Sequence, residues 1–444
     1  MKSIIYIIQI SILCFFVSCM EEIEPVDDKF VKIYGKESDS QGFGLIENPD
    51  GSIFVLGQTS TAGFDFEYGT SGTQFTNSTI NRAPSISLIN ESGNLIERYL
   101  IPIPSAGDLT NLEFFLDEFD PNRAALTDMV PLSNGGYLAI GQWFDLPFSQ
   151  ELLGFTAGSF PFLMWLNENF EMVDFWAPNG GASWDGKFRA EPKIYTHPSG
   201  EIYVLFRFLI SLTSNERGFS IIKFNAAGEL IWGLEDQYEY STFDNPNNIV
   251  TAWDIEFNDD GNLVLGAQVT GAIFMIIIDP ITGAFSQKYL DNTNNAGLTD
   301  PGDLVKTEAN TFAVFYGSFP NVIFNKYRLL PSGVVTADTM DVLITNFILE
   351  KGFGEGQFIR EAVPTQDGGF LVLTEILRAG TFSSLGELIR LDENGAVLWT
   401  YFIDGSPQNI AEARDGGVLL LYNPQFNELT PKTTLIKLSA NGKL

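Results

Sequence analysis

Residues 48–59 read NPDGSIFVLGQT, and six later stretches repeat that pattern: a polar turn centred on Gly or Asn, then a run of apolar residues. The turns fall at Gly51, Gly135, Gly200, Gly261, Asn310, Gly368 and Gly416. Each is followed, after a connection of variable length, by a second strand pair. The second turns sit at Gly93, Asn169, Gly228, Gly283, Gly333 and Gly395, and a seventh begins in Lys437–Leu444. Asp-Gly and Asn-Gly between alternating runs favour tight hairpins, because Gly tolerates positive φ. Central strands such as Phe54-Val55-Leu56 and Leu371-Val372-Leu373 are continuously apolar, as expected when both faces are buried.

Two hairpins per repeat, seven times over, predict an all-β fold: a seven-bladed β-propeller of four-stranded blades. The 444 residues are enough for a large core, and the repeat overrides a two- or three-domain reading of length alone. The last repeat ends after one strand and a turn, so its outer strand must come from elsewhere. Residues 30–35, just ahead of the first repeat, have no other partner. The spacing predicts that this N-terminal strand closes the last blade, which removes exposed sheet edges. The domain plan is therefore 1–18 signal peptide, 19–29 lipidated tether and 30–444 propeller, expected to be a monomer.

The first segment reads as an address. Lys2 precedes an apolar stretch from Ile4 to Val17, broken only by Gln9 and Ser11. It is too short and wrongly flanked for a permanent transmembrane helix. It ends in Phe16-Val17-Ser18-Cys19, which resembles a lipobox, with Phe16 departing from the commonest Leu. The resemblance implies cleavage before Cys19 and acylation of that residue, palmitate included, giving a membrane anchor without a spanning helix. The acidic run Glu21, Glu22 and Glu24 resembles the export signal of surface lipoproteins in some Gram-negative bacteria. The implied location is the outer membrane, at the cell surface.

The only cysteines, Cys14 and Cys19, lie in this segment, and the chain has one His, His197. The body thus has no disulfide, no Cys nucleophile and no multi-histidine metal site. Acids outnumber bases 56 to 25, for a formal net charge of −31, which argues against nucleic acid and anionic lipid as partners and leaves the lipid anchor as the expected membrane contact.

Trp232, Phe285 and Trp399, shortly past the second turns, together with Asp279-Pro280-Ile281-Thr282-Gly283, resemble the repeats of quinoprotein-dehydrogenase-type propellers. That resemblance implies kinship of fold. Those enzymes hold their quinone with a cation site and a vicinal disulfide, and this chain lacks the cysteine pair, so their activity is not carried over.

Strand direction alternates within a blade, so both short turns of every repeat lie on one face of the disc. The long connections (59–84, 102–124, 144–159, 177–189, 236–250 and 291–302) gather on the other, where binding usually resides. Candidate ligand-binding residues there are Phe64, Tyr68, Phe144, Trp176, Trp184, Phe188, Tyr240 and Phe243. Rings beside Asn and Thr suit a glycan or an envelope protein, and equally suit packing of the loops onto the disc. Seven residues before each first turn stand Gly44, Asp128, Lys193, Asp254, Asp303, Glu361 and Asn409. The acids among them, Asp128, Asp254, Asp303 and Glu361, are expected to ring the channel mouth. Three roles fit: capping backbone N–H groups, holding a hard cation such as Ca²⁺, or acid–base chemistry. The leading expectation is a lipid-anchored binding or scaffold propeller without enzymatic activity or obligatory cofactor. The alternative is a polysaccharide lyase or glycoside hydrolase using these carboxylates and a cation.

Overall fold

The computed structural model describes residues 29–34, 40–60, 82–102, 124–144, 159–176, 192–209, 217–232, 250–269, 272–281, 285–291, 302–318, 321–331, 333–345, 356–377, 384–424 and 432–444. They form 28 strands in seven four-stranded antiparallel sheets arranged as a ring, a seven-bladed β-propeller without helices. The N-terminal strand is β1 (Phe30–Tyr34). Blade I comprises β2 (Ser40–Glu47), β3 (Ile53–Ser60), β4 (Arg82–Ile89) and β5 (Leu95–Leu100). Blade II comprises β6 (Ala124–Pro131), β7 (Tyr137–Phe144), β8 (Ser159–Leu166) and β9 (Met172–Trp176). Blade III comprises β10 (Lys193–Thr196), β11 (Ile202–Leu209), β12 (Arg217–Phe224) and β13 (Leu230–Trp232). Blade IV comprises β14 (Val250–Phe257), β15 (Leu263–Val269), β16 (Ala272–Ile278) and β17 (Phe285–Asp291). Blade V comprises β18 (Asp303–Glu308), β19 (Thr311–Ser318), β20 (Asn321–Leu329) and β21 (Val335–Thr345). Blade VI comprises β22 (Gly356–Pro364), β23 (Phe370–Leu377), β24 (Ser384–Leu391) and β25 (Val397–Ile403). Blade VII holds β26 (Ser406–Glu412), β27 (Val418–Asn423) and β28 (Thr433–Leu438), with β1 as its outermost strand.

The closure is the predicted one. β1 runs antiparallel to β28, with Phe30 opposite Lys437 and Tyr34 opposite Thr433. Residues 1–28, including Cys19 and the tether, lie outside the described residues.

The continuous apolarity of the middle strands has a direct cause: alternate side chains serve two different seams. On β3, Phe54 packs toward blade II with Phe162 and Phe170, while Ile53 and Val55 pack toward blade VII with Leu419 and Leu435. Seven apolar clusters result, one in each seam between adjacent blades. The core is therefore distributed around the ring.

Backbone groups stitch the short-turn face. Two residues before the first-turn Gly, an N–H reaches into the following blade at four seams. Ser133 donates to the Ala226 carbonyl at 2.7 Å. Asp259 donates to Asn310 Oδ1 at 2.9 Å, Gln366 to Glu412 Oε2 at 2.7 Å, and Arg414 to Glu47 Oε2 at 2.9 Å.

One turn departs from expectation. At the second turn of blade II the residue at positive φ is Phe170 (φ 60°), and Asn169 precedes it. Phe170 N donates to the Asn167 carbonyl, as Gly93 N does to that of Asn90. A Phe tolerates this backbone because its ring fills the seam with blade I, its centroid 5.3 Å from that of Phe54, 4.7 Å from Tyr99 and 5.0 Å from Tyr137. Sequence reading sought Gly or Asn here and had no means to weigh tertiary packing against strain. Phe170→Gly relieves roughly 1–2 kcal/mol of backbone strain but removes a buried ring worth roughly 3–5 kcal/mol. The expected outcome is a net loss of about 2 kcal/mol in urea unfolding; a gain in stability would refute the packing argument.

Candidate functional site

The innermost strands β2, β6, β10, β14, β18, β22 and β26 begin on the long-connection face and run to the first turns. The residues seven before those turns occupy one register position in all seven blades. Gly44 lies opposite Leu56, Asp128 opposite Ile140, Lys193 opposite Leu205 and Asp254 opposite Gly266. Asp303 faces Phe315, Glu361 faces Leu373 and Asn409 faces Leu421. In five blades the register shifts immediately before this residue, as between Leu126 and Asp128 or Ile359 and Glu361. A β-bulge bends the strand and re-aims the side chain that follows it. The bulges have no sequence signal in the turn pattern and went unpredicted.

The carboxylates are committed to backbone. Asp254 Oδ2 accepts the N–H of Leu304 at 3.4 Å, Asp303 Oδ2 that of Ala362 at 2.5 Å, and Glu361 Oε2 that of Ile410 at 2.9 Å. In each case the donor lies one residue past the equivalent position in the following blade. Asp128 instead accepts the N–H of its neighbour Met129 at 2.7 Å. Gly44 has a different reason to lack a side chain: a Cβ there would stand 2.1 Å from the Thr127 carbonyl oxygen of blade II.

Among the seven residues at this register position, Lys193 is the one cation. Its Nζ lies 3.2 Å from Asp303 Oδ1 and 3.6 Å from Asp254 Oδ1, so a side chain of blade III reaches blades IV and V. The Tyr195 hydroxyl donates to Asp254 Oδ1. Sequence reading counted Lys193 only as a gap in an acidic series and did not single out Tyr195.

Burial raises the Asp303 pKa well above the carboxylate range, and the adjacent Asp254 charge raises it further. Burial acts on Asp254 as well, but Lys193, the Asp303 carboxyl, Tyr195 and the Leu304 N–H outweigh it and hold Asp254 below its ordinary value. The surroundings thus favour the charged form on Asp254 and the neutral form on Asp303. Burial also lifts Asp128, Glu361 and nearby Glu256 to about 7. Groups raised in the folded state bind protons that the unfolded chain releases, so they favour folding at low pH and lose that contribution as pH rises through roughly 4 to 7. Asp254 works in the opposite sense below about 4. Stability is expected to peak near pH 4–5 and to fall toward pH 7, a trend that melting temperatures across this range will check; rising stability from pH 5 to 7 would contradict it.

Among the described residues, no group of three or more His, Cys, Asp or Glu side chains is placed to hold a metal ion. Of the predicted aromatics, Trp176 ends β9 half-buried, its ring 6.2 Å from that of Phe206 in the seam between blades II and III. Phe144 ends β7, and its side chain is outside the described set. Phe64, Tyr68, Trp184, Phe188, Tyr240 and Phe243 lie outside the described residues. His197 occupies a short turn on the opposite face, edge-on to Phe257 at 4.8 Å.

No protein-family model matches the chain, and no curated protein matches it. Among solved structures, it is similar to the NanB sialidase of Streptococcus pneumoniae at 12% identity, over 91% of this chain and 69% of the other, with a TM-score of 0.40. It is similar to a Hadza microbial sialidase at 10% identity, over 83% and 75%, with a TM-score of 0.45. A protein of unknown function from Dyadobacter fermentans aligns at 9% identity over 92% and 99%, with a TM-score of 0.42. These likenesses are distant, and the seven-bladed architecture rests on the sheet order of this chain itself.

Proposed function

We propose that this protein is a lipid-anchored, extracytoplasmic binding propeller that holds a glycan with its long-connection face. The observation that carries this reading is the asymmetry of the disc. The first and second turns of the repeats emerge on one face, while the long connections of blades I and II, 61–81, 103–123 and 145–158, leave and re-enter on the other. A rigid, backbone-stitched disc with long polar connections on one side is a mounting for a binding surface. Acylation of Cys19 would place that disc at the outer membrane.

The alternative, a polysaccharide lyase or glycoside hydrolase, draws on the buried carboxyl pair Asp254 and Asp303. Their oxygens are already engaged by backbone N–H groups, Tyr195 and Lys193, which favours a framework role over turnover. Ca²⁺ at the ring would have to compete with the same partners. A glycan array probed with the chain starting at Glu21, with product analysis of each captured glycan, tests the proposal. Capture without cleavage is the expected result. Turnover of a polysaccharide, or capture of no glycan, would overturn it.

A further inference from the structure

The connections of the long-connection face are uneven in length around the disc. Blades I and II carry 61–81, 103–123 and 145–158, whereas β16 follows β15 after 270–271 and β20 follows β19 after 319–320. The shortest passage from one blade to the next is 404–405, between β25 and β26. Gly405 presses it onto blade VII. A Cβ there would stand 2.7 Å from the Asn423 carbonyl oxygen and 2.9 Å from the Tyr422 ring.

Beside this passage, blades VI and VII share one polar network. Arg360, one residue ahead of Glu361, pairs with Glu375 of β23, and their side chains are 41% and 5% exposed. The Ser406 hydroxyl donates to the other Glu375 oxygen at 3.1 Å. Gln408 Nε2 donates to Ser406 Oγ at 2.8 Å and to the Ser406 carbonyl at 3.1 Å. The amide hydrogens of Gln408 are thereby used within the network, and among the described residues nothing donates to its Oε1. One residue on, Asn409 Nδ2 donates to Glu361 Oε1 at 3.4 Å, which ties the network to the carboxylates of the inner strands. A buried carboxylate and a serine thus hold a half-exposed guanidinium and a half-exposed amide in place.

We propose that this network is a subsite for a neutral sugar, with Arg360 donating to its hydroxyls and Gln408 Oε1 accepting from them. A sugar hydroxyl donates and accepts at once, so it pairs with a donor and an acceptor side by side. Side chains already fixed by their own bonds lose little freedom when they do so. The neutral class follows from charge. Glu375 answers Arg360, Glu361 and the exposed Asp404 stand nearby, and the chain's net charge of −31 repels polyanions. With two residues joining the blades, a polysaccharide has a route off the disc across this seam. This inference rests on the glycan reading above and gives it a location and a class of ligand.

Affinity electrophoresis separates the two. The chain starting at Glu21 is run through gels containing dextran, mannan or arabinoxylan, which are neutral, and polygalacturonate or chondroitin sulfate, which are acidic. Retardation by at least one neutral polymer and by neither acidic one is expected. Gln408→Ala and Arg360→Gln are each expected to weaken it roughly tenfold, the worth of a hydrogen bond to a fixed partner. Asp404 makes no hydrogen bond among the described residues, so Asp404→Arg lays a long side chain across the route without breaking one, and a similar loss is expected. Arg328→Gln on the outer strand of blade V, where the side chain is 50% exposed, is expected to change nothing. Retardation that survives the first three variants would overturn the subsite and leave the glycan reading standing. Retardation by none of the polymers would overturn both, and retardation by the acidic ones would overturn the neutral class. Melting temperatures equal to that of the parent chain establish that each variant compared is folded.

Discussion

Lys193→Met is expected to destabilise the protein by about 3 kcal/mol in guanidinium unfolding at pH 7. The substitution keeps most of the aliphatic stem but removes the ammonium that faces Asp254 and Asp303. Breaking a buried ion pair by deleting one partner typically costs roughly 3–5 kcal/mol, because a charge is left uncompensated. The Lys193 side chain is 27% exposed while that of Asp303 is 2% exposed, which places the loss toward the lower end. Two further measurements separate electrostatics from packing. The deficit should shrink as pH falls, because without Lys193 the burial of Asp254 favours its protonated form. The double variant Lys193→Met with Asp254→Asn should recover most of the loss, since it removes the stranded charge along with its partner. A deficit below 1 kcal/mol, or one unchanged by pH, would show that Lys193 contributes only its stem.

Linking Ile33→Cys to Thr434→Cys is expected to raise stability by about 4 kcal/mol on oxidation. The two residues lie directly opposite each other in the β1–β28 ladder. The bond closes a loop spanning nearly the whole chain, and long loops yield the largest entropic gain, up to about 5 kcal/mol when geometry is unstrained. With Cys14 and Cys19 removed, no competing thiol remains. The comparison is internal: the same protein, oxidised and reduced, in one melting experiment. Deleting residues 30–34 is the converse, since it uncovers the edge of β28 and the Phe30 contribution to the seam with blade I. That variant is expected to be insoluble or to have lost the cooperative transition. Equal melting temperatures for oxidised and reduced forms would mean that closure does not limit unfolding.

The turn pattern made the architecture legible because hairpin turns need particular backbone conformations, and Gly or Asn at φ near +80° or +54° meets that need. The missing strand was legible by subtraction: seven first hairpins, six complete second ones and one orphan segment. The acidic series was legible as a register, since counting back from Gly261 or Gly368 lands on Asp254 or Glu361. Its chemistry was not. That depended on which blade follows which, on the bulges that re-aim the side chains, and on the reach of Lys193 across two seams, all of which are relations between repeats. Phe170 failed for the same reason, being chosen by rings of blade I that local sequence does not contain. The candidate aromatics stand in or beside long connections, and Trp176, half-buried, also packs against Phe206 in the seam between blades II and III.

The stitches of the short-turn face bear on how such a chain changes over generations. Their donors are peptide groups, which every residue except proline supplies. Their acceptors are a carbonyl, an amide and two carboxylates, so no single side chain is required at the receiving end either. What must be inherited is a position two residues before a turn. A disc fastened in this way tolerates wide drift in its repeats while keeping its shape, which accounts for seven copies that share a rhythm and few identical letters.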